Sequence, residues 1–507
     1  MNKQCKIIVL IFCSLKLLLH FIADSHSGFQ GDELLHIETG KHLALGYMEF
    51  PPFIGLLAFA QNIFHSHSVF IYHIFPHLAS VLILIFVANI VTELGGGNKA
   101  VFFVLLGILI APGFERSQQL FQPVVFSQLF WIVTFYYLVR FVKLLDQKSL
   151  WLATAFCISG FLIKYDCIFL LFGLLSLFFF SRTRKALIQH KFWINILVFI
   201  ICLLPNVLWQ VSNHYPVLQM FSRLYETQLD KLNRMDNLKN LFVEINPVVS
   251  LFLFLTGVFY FFFSKNKSTV FPLAAAIGLS FSLLFLSNGK AYYFYPIALT
   301  VLPFGAVCLE QHVFSKRKWI LYAVTVLMVL GCVLIPFGMP VYSFHRYLSR
   351  IYPHEKKEIS GGEYAIKYDE YYTTGKWQKT LLELKLVYDS LPANEKRYCL
   401  IWAKNYAQAG AVNLLGNEYN LPAAFSYHGS FYIWAPDDGQ MPNTIIAISY
   451  DVGNFFGPYF NEVKKVKTIY NPYANSEEEL YQYIYICKQP KQNFSTMKLL
   501  FKSRIFE

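Results

Sequence analysis

The chain is 507 residues long, 55% hydrophobic and only 15% charged, with 18% aromatic residues. A water-soluble fold has no use for so much apolar surface, and it comes in blocks of about 20 residues, the length a helix needs to cross a hydrocarbon layer roughly 30 Å thick. A formal net charge of +12 would suggest nucleic acid for a soluble chain, but here the cations gather in short loops where they set orientation, so no nucleic-acid partner is expected.

Lys3 and Lys6 precede the first apolar run, 5–23. No small-x-small cleavage site follows and the run is long for a signal peptide, so it is expected to be a retained first helix. Further apolar blocks at 69–93, 100–113, 121–141, 150–163, 166–181, 193–210, 247–263, 269–286, 291–311 and 319–337 bring the hydropathy count to about eleven. With the N-terminus inside, Lys99, the group Arg140, Lys143 and Lys148, the group Arg182 to Lys191, Lys265 with Lys267, and Lys316 to Lys318 all fall on the inner side. Every second loop is then basic, as the positive-inside bias requires.

That topology sends 24–68, 211–246 and the turn 287–290 to the outer side. Within 24–68, Glu33 to Leu45 and Phe53 to Phe64 carry the spacing of amphipathic helices lying in the interface. Pro51-Pro52 parts them, since a proline ends one helix and can start another. After residue 337 the composition turns to Tyr, Asn, Lys and Glu. Strands are expected at 399–402, 444–448 and 483–486, and helices at 376–390 and 405–415. The expected division is a membrane domain over 1–337, with 24–68 as its first outer loop, and an extracytoplasmic α/β or α+β domain over 338–507. Nine cysteines show no metal-ligand spacing; Cys399 and Cys487 alone lie in the polar C-terminal part, and spacing does not establish whether they pair.

The topology gathers polar residues at the outer ends of spans: Asp32 and Glu33, Glu115 and Arg116, Lys164 to Asp166, Asn213 and His214, and Lys290 to Tyr293. A charge within the membrane costs roughly 2.5–3.5 kcal/mol on insertion scales, so those retained tend to line a cavity or pathway. Asp32 reads as a general base, with Glu33 orienting it or sharing a divalent cation, magnesium or manganese. The structural alternative is that both acids favour a helix N-terminus. Lys164 and Lys290 read as ligands of a phosphate leaving group, or as lysines snorkelling at helix ends. Arg116 suits the same anion, unless Glu115 takes it as a partner. His65, His67, His73 and His77 lack a carboxylate at matching spacing for a metal. Gly95-Gly96-Gly97 has no phosphate-loop lysine after it and reads as a turn.

Several segments taken together resemble a known group: Gly31-Asp32-Glu33, Leu45-Gly46-Tyr47 with Pro51-Pro52, Glu93-Leu94-Gly95-Gly96-Gly97, Leu129-Phe130-Trp131, Gly160 to Tyr165, Leu204 to Gln210, Gly289-Lys290-Ala291-Tyr292-Tyr293 with Pro296, and Asn405-Tyr406-Ala407-Gln408-Ala409-Gly410-Ala411. In this order they resemble the bacterial glycosyltransferases related to dolichyl-phosphate-mannose–protein mannosyltransferases and to the aminoarabinose transferases of lipid A (family 39/83-type). The resemblance implies a GT-C fold: a polytopic helical membrane protein with interfacial helices in the first outer loop and a C-terminal extracytoplasmic domain. It implies a sugar donor on a polyprenyl phosphate, membrane lipids as surroundings, and inverting transfer to a hydroxyl of a lipid, glycan or protein outside the cytoplasm. Localisation in the inner (plasma) membrane, with the active site on the periplasmic side, goes with it. Asp32 matches the family's catalytic acid, and Lys164, Lys290, Arg116 and Tyr293 are expected near the donor phosphate.

Two departures stand out. His73 occupies a place where relatives often have arginine, and Ser127-Gln128 a place where they often have an acid, which leaves the acceptor and the fine donor contacts open. The rival class is a transporter or flippase of lipid-linked sugars. It predicts ionisable groups at the bilayer midplane and inverted repeats, whereas here the charges gather at one face and no repeat is seen. A second rival is a non-catalytic protein that binds a lipid through the outer domain. Sequence alone names neither sugar nor acceptor, nor the oligomeric state.

Overall fold

A computed structural model of the chain describes residues 1–245, 250–350, 357–359, 363–365, 373–451, 455–471, 473–474 and 479–507. Two compact units interleave along the sequence. Met1–Ile22, Phe50–Phe53 and His73–Val341 form one, and Ala23–Glu49, Ile54–Tyr72 and Tyr342–Glu507 form the other. The hydropathy division counts 24–68 with the membrane spans; in the structure nearly all of that loop packs with the C-terminal residues instead.

The first unit is a helical membrane bundle. Seven helices are long and apolar enough to cross a bilayer: Lys3–Asp24, Ile74–Glu93, Pro123–Leu144, Phe192–Ser212, Lys267–Leu286, Ala291–Phe314 and Lys318–Phe337. Two bent pairs, Asn98–Leu109 with Pro112–Gln119 at 70° and Cys167–Phe179 with Ser181–Gln189 at 105°, raise the number to nine if each is one crossing. The first bend falls at Pro112, where Ala111 is extended (ψ 112°), as the residue before a proline prefers. Gln147–Ile163 and Ser250–Phe263 are also helical but only 17 and 14 residues long, short of a roughly 30 Å crossing at about 1.5 Å per residue. All eleven apolar blocks are therefore helical, yet the span count among the described residues is seven to nine. Hydropathy already marks 100–113 and 150–163 as short blocks, but it does not register a bend. Ala291–Phe314 is central, with 89% of its most apolar stretch buried, against 17% for Phe192–Ser212 and Lys318–Phe337.

A fully buried ion pair ties the first helix to the bend. Lys16 Nζ lies 2.6 Å from Glu115 Oε1, both side chains without exposure, and His20 Nε2 is 3.8 Å from the other carboxylate oxygen. Glu115 is thus engaged by Lys16, in answer to the question whether it serves Arg116. His20 packs edge-on against His77 at 4.9 Å, and His77 against His73 at 5.9 Å. Removing one member of such a pair leaves a bare charge, which costs about 3–5 kcal/mol, whereas apolar replacement of both is often neutral. Lys16→Met or Glu115→Leu alone should therefore lower the melting temperature of the purified protein sharply, and the double variant should recover most of it, as thermal unfolding in detergent would show.

The second unit carries a five-stranded sheet behind a short hairpin of β1 (Lys357–Ile359) and β2 (Glu363–Ala365). The sheet runs β4-β3-β5-β7-β6, with β3 Leu400–Ala403, β4 Ala424–Phe425, β5 Thr444–Ser449, β6 Phe460–Tyr470 and β7 Tyr481–Pro490. β3 pairs parallel with β4 and β5, and β7 pairs antiparallel with β5 and β6. β5 is buried at every residue, which explains why it reads as a plain apolar run. Trp402 anchors one face, parallel to Phe425 at 5.8 Å and edge-on to Phe456 at 5.2 Å and Phe501 at 5.4 Å. The expected helices appear as Thr373–Asp389 and Tyr406–Leu415. The loop helices are Gly31–Glu38 and Phe53–Asn62; Leu56 and Phe59 of the latter and Ile63 just beyond it are exposed, the spacing of an interfacial face. All nine cysteines, Cys399 and Cys487 included, are free thiols. His67 Nδ1 meets Glu418 Oε1 at 2.9 Å.

Candidate active site

Helix Gly31–Glu38 begins at Gln30 with a reciprocal cap. The Gln30 side-chain oxygen accepts the Asp32 N–H at 2.7 Å, and the Glu33 carboxylate accepts the Gln30 N–H at 2.7 Å. Glu33, fully buried, closes the helix start. Asp32 stays partly exposed one position earlier in the first turn, where the helix dipole favours a carboxylate. The two acids expected to act together are thus turned to different tasks.

Asp32 meets the C-terminal part of its own unit. Tyr406 OH donates to Asp32 Oδ1 at 2.6 Å. Tyr406 opens helix Tyr406–Leu415, itself capped by Asn405 with Gln408. The two helices approach so closely that a Cβ on Gly410 would lie 2.8 Å from Leu34 Cβ and 3.0 Å from the Leu34 carbonyl oxygen. Only hydrogen fits there. Burial and the Asp32 charge hold the Tyr406 phenol well above its ordinary pKa, so it remains a donor. His428 lies parallel to Tyr406 at 4.8 Å. Burial and the nearby Lys404 push its imidazole down to about 4, which keeps it neutral.

A second carboxyl group belongs to this cluster. Ser430 N–H donates to Glu49 Oε1 at 2.8 Å, Ser430 Oγ donates to Oε2 at 2.5 Å, and Met48 N–H donates to Ser430 Oγ at 3.0 Å. Gly429, at φ +58°, leaves the space Glu49 occupies; a Cβ there would fall on Glu49 Oε1. The Glu49 residue keeps part of its surface exposed, but its carboxyl end is enclosed. Burial raises the carboxyl to about 7, against the pull of the Ser430 hydrogen bonds and with the Asp32 charge adding to the rise. Glu49 stands between the Leu45-Gly46-Tyr47 and Pro51-Pro52 pieces quoted above, yet no sequence expectation gave it a role. The signal was available: an acid just before Pro51-Pro52 in the same loop as Asp32.

The basic candidates lie in the helical unit. Lys164 Nζ is 2.8 Å from Asp166 Oδ2 and lies over the rings of Tyr293 at 4.3 Å and Tyr292 at 5.1 Å. Asp166 Oδ1 also accepts from Ser127 Oγ at 2.9 Å. The structure therefore brings Lys164 and Tyr293 together. Lys290 Nζ donates to Gln228 Oε1, and Arg116 sits on Pro112–Gln119 beside a hydrogen-bonded net of Ser117, Gln118 and Gln128. As for a divalent cation, Glu33 is committed to the helix cap, and no third His, Cys, Asp or Glu ligand atom joins Asp32 and Glu33 among the described residues.

Two outcomes follow. Gly410→Val should separate the helices, costing about 1–3 kcal/mol by overpacking and weakening the Tyr406 hydrogen bond, as thermal unfolding and the loss of transfer activity would report. Between the ordinary carboxylate range and about pH 7 the folded state holds a proton on Glu49 that the unfolded chain releases. Stability should thus fall as pH rises through that window and level off above it. Glu49→Gln should remove this slope, roughly 2–4 °C in melting temperature for each kcal/mol involved.

Comparisons with known proteins agree with this architecture. Residues 50–209 match the family model of dolichyl-phosphate-mannose-protein mannosyltransferase. No curated protein sequence matches the chain. The fold is similar to that of ArnT from Cupriavidus metallidurans bound to undecaprenyl phosphate, at TM-score 0.61 and 11% identity, over 94% of this chain and 97% of that one. The same protein in its apo state matches at TM-score 0.59 and 12% identity, with the same coverage. At that identity the likeness is one of fold. Residues 50–209 thus match the family model of dolichyl-phosphate-mannose-protein mannosyltransferase, and the chain as a whole is a polytopic helical membrane protein with an ArnT-like fold.

Proposed function

We propose that this protein transfers a sugar from a polyprenyl phosphate to an acceptor hydroxyl on the outer side of the inner membrane, with inversion at the anomeric carbon. The observation that carries the reading is the environment of Asp32. One of its carboxylate oxygens is fixed by the Tyr406 hydroxyl at 2.6 Å, and the residue keeps enough exposure to meet a substrate. A base needs this arrangement: it must be held in place and still reach the hydroxyl it deprotonates. Asp32 takes the acceptor proton as the acceptor oxygen bonds to the anomeric carbon and the bond to phosphate breaks. The polyprenyl phosphate leaves as an anion.

Glu49, with its carboxyl raised to about 7, is mostly protonated at mildly acidic pH, so it can offer a proton beside the base Asp32. Glu33 positions the helix that presents Asp32. Lys164, with Tyr293, is the foremost ligand for the phosphate, and Lys290 and Arg116 complete the basic set. Donor class is supported by the undecaprenyl phosphate bound to ArnT of the same fold. The outer placement is supported by the alternation of basic loops along the chain. No step is routed through a metal ion. Displacement is direct, so no second carboxylate nucleophile is required.

Profiling glycolipids, glycoproteins and lipid A in a strain lacking the gene should show one missing sugar and an accumulating lipid-linked precursor. Restoring the wild-type gene should reverse both. An Asp32→Asn protein that is folded and still complements fully would remove the base from the mechanism; the expected loss is about 100-fold or more in rate. Tyr406→Phe should cost less, in line with one hydrogen bond to a charged group, roughly 1.5–3 kcal/mol.

A further inference from the structure

Six residues beyond Asp32, at the far end of the same helix, lies a cleft of about 360 Å³, within the roughly 300–1,000 Å³ usual for small-molecule sites. Its polar wall is made by Glu38, Lys41, His42, Asn413 and Asn417, and its aromatic wall by Trp434. The floor is apolar and buried, formed by residues such as Leu421 and Phe425.

Three features define what the cleft can hold. Its charges are compensated internally: Lys41 Nζ is 2.8 Å and His42 Nε2 3.7 Å from the Glu38 carboxylate, which also accepts from Asn413 Nδ2 at 3.1 Å. The cleft therefore makes no demand for an ion. It offers hydrogen-bonding capacity at the rim. Lys41 spends one N–H on Glu38 and one on the Asn413 carbonyl at 3.2 Å, leaving one of its three donors. The exposed Asn417 side chain makes no hydrogen bond among the described residues. Finally, Trp434 is held flat, parallel to the His42 ring at 4.5 Å with 10° between planes, and is braced edge-on by Phe431 at 5.2 Å. A rigid aromatic plate beside the spare donors of a charge-balanced Lys41 and of Asn417 matches a ligand with an apolar C–H face and a rim of hydroxyls.

We infer that this cleft is a saccharide subsite that takes a neutral sugar residue. Glu38 and Asp32 share one rigid helix and are separated by about 9 Å along its axis, at 1.5 Å for each of six residues. A glycan seated in the cleft would have a neighbouring sugar hydroxyl near the Asp32 end of the helix. That use of the cleft, as a hold on a glycan acceptor, rests on the transferase reading; sugar binding itself does not.

The test is saturation-transfer NMR on the full-length protein in nanodiscs prepared without sugar-based detergent. The probes are methyl α-glucoside, methyl α-mannoside, methyl α-galactoside and N-acetylglucosamine, with Trp434→Ala, Asn417→Ala and Asp32→Asn variants. Transfer to the ring protons of at least one probe is expected, with affinity weakened at least fivefold by Trp434→Ala, at least twofold by Asn417→Ala, and unchanged by Asp32→Asn. Asn417 is exposed, so its variant reports even if Trp434→Ala fails to fold. Absence of transfer to every probe overturns the inference, as does binding that Asn417→Ala leaves intact. Binding lost with Asp32→Asn places the sugar at the other end of the helix and overturns it too. Retained binding in an inactive Asp32→Asn protein keeps this inference apart from the catalytic one.

Discussion

The second unit depends on one close approach. Helix Gly31–Glu38 and helix Tyr406–Leu415 touch backbone to side chain at Leu34 and Gly410, two points some 376 residues apart in sequence. Without that contact Asp32 would be a solvated acid on a loop. With it, Tyr406 reaches the carboxylate, and Glu38 at the other end of the helix meets Asn413. The local caps at Gln30 and Asn405 make each helix begin where it must for the two first turns to face each other. Small residues here serve proximity rather than flexibility.

Two carboxyl groups in related surroundings are treated differently by the partners each is given. Asp32 is supported by a phenol that donates to it. Glu49 is enclosed, and that burial outweighs the two donors from Ser430, with the negative charge of Asp32 adding a smaller push in the same direction. Like charges drawn together out of water do not both ionise readily. Glu49 is marked by enclosure and Asp32 by access. This division of labour is a property of the folded loop, and no residue type alone announces it.

How much of this was legible in the sequence follows from the range of the forces involved. Apolar blocks are a local signal, so the membrane helices and the shortness of the block at 150–163 could be read, while the bend at Pro112 depends on backbone detail that hydropathy averages away. β3, β5 and β7 read as strands because their apolar residues face a core. β6 did not, since Glu462, Lys464, Lys465 and Lys467 make it look like a solvated loop; they are the charges an edge strand carries to stay unpaired. Asp32 was singled out by its place at the outer end of the first span and then by family resemblance, and Glu33 was given a shared role by adjacency alone. Its burial against the helix start appears only once the cap is seen. Glu49 lay between two quoted pieces and Tyr406 within one, but their relation to Asp32 is a contact between distant parts of the chain. No local pattern records it.

The Lys16–Glu115 pair has a consequence for how the protein is made. Its partners are 99 residues apart, so at about 5–20 residues per second the first helix leaves the ribosome roughly 5–20 s before its counter-ion. Through that interval an ammonium group sits two-thirds of the way along the helix without a carboxylate, at a cost of roughly 2.5–3.5 kcal/mol to the inserted state. The apolar length of Lys3–Asp24 carries this cost until the bend at Pro112 brings Glu115 to the lysine and the charge is matched.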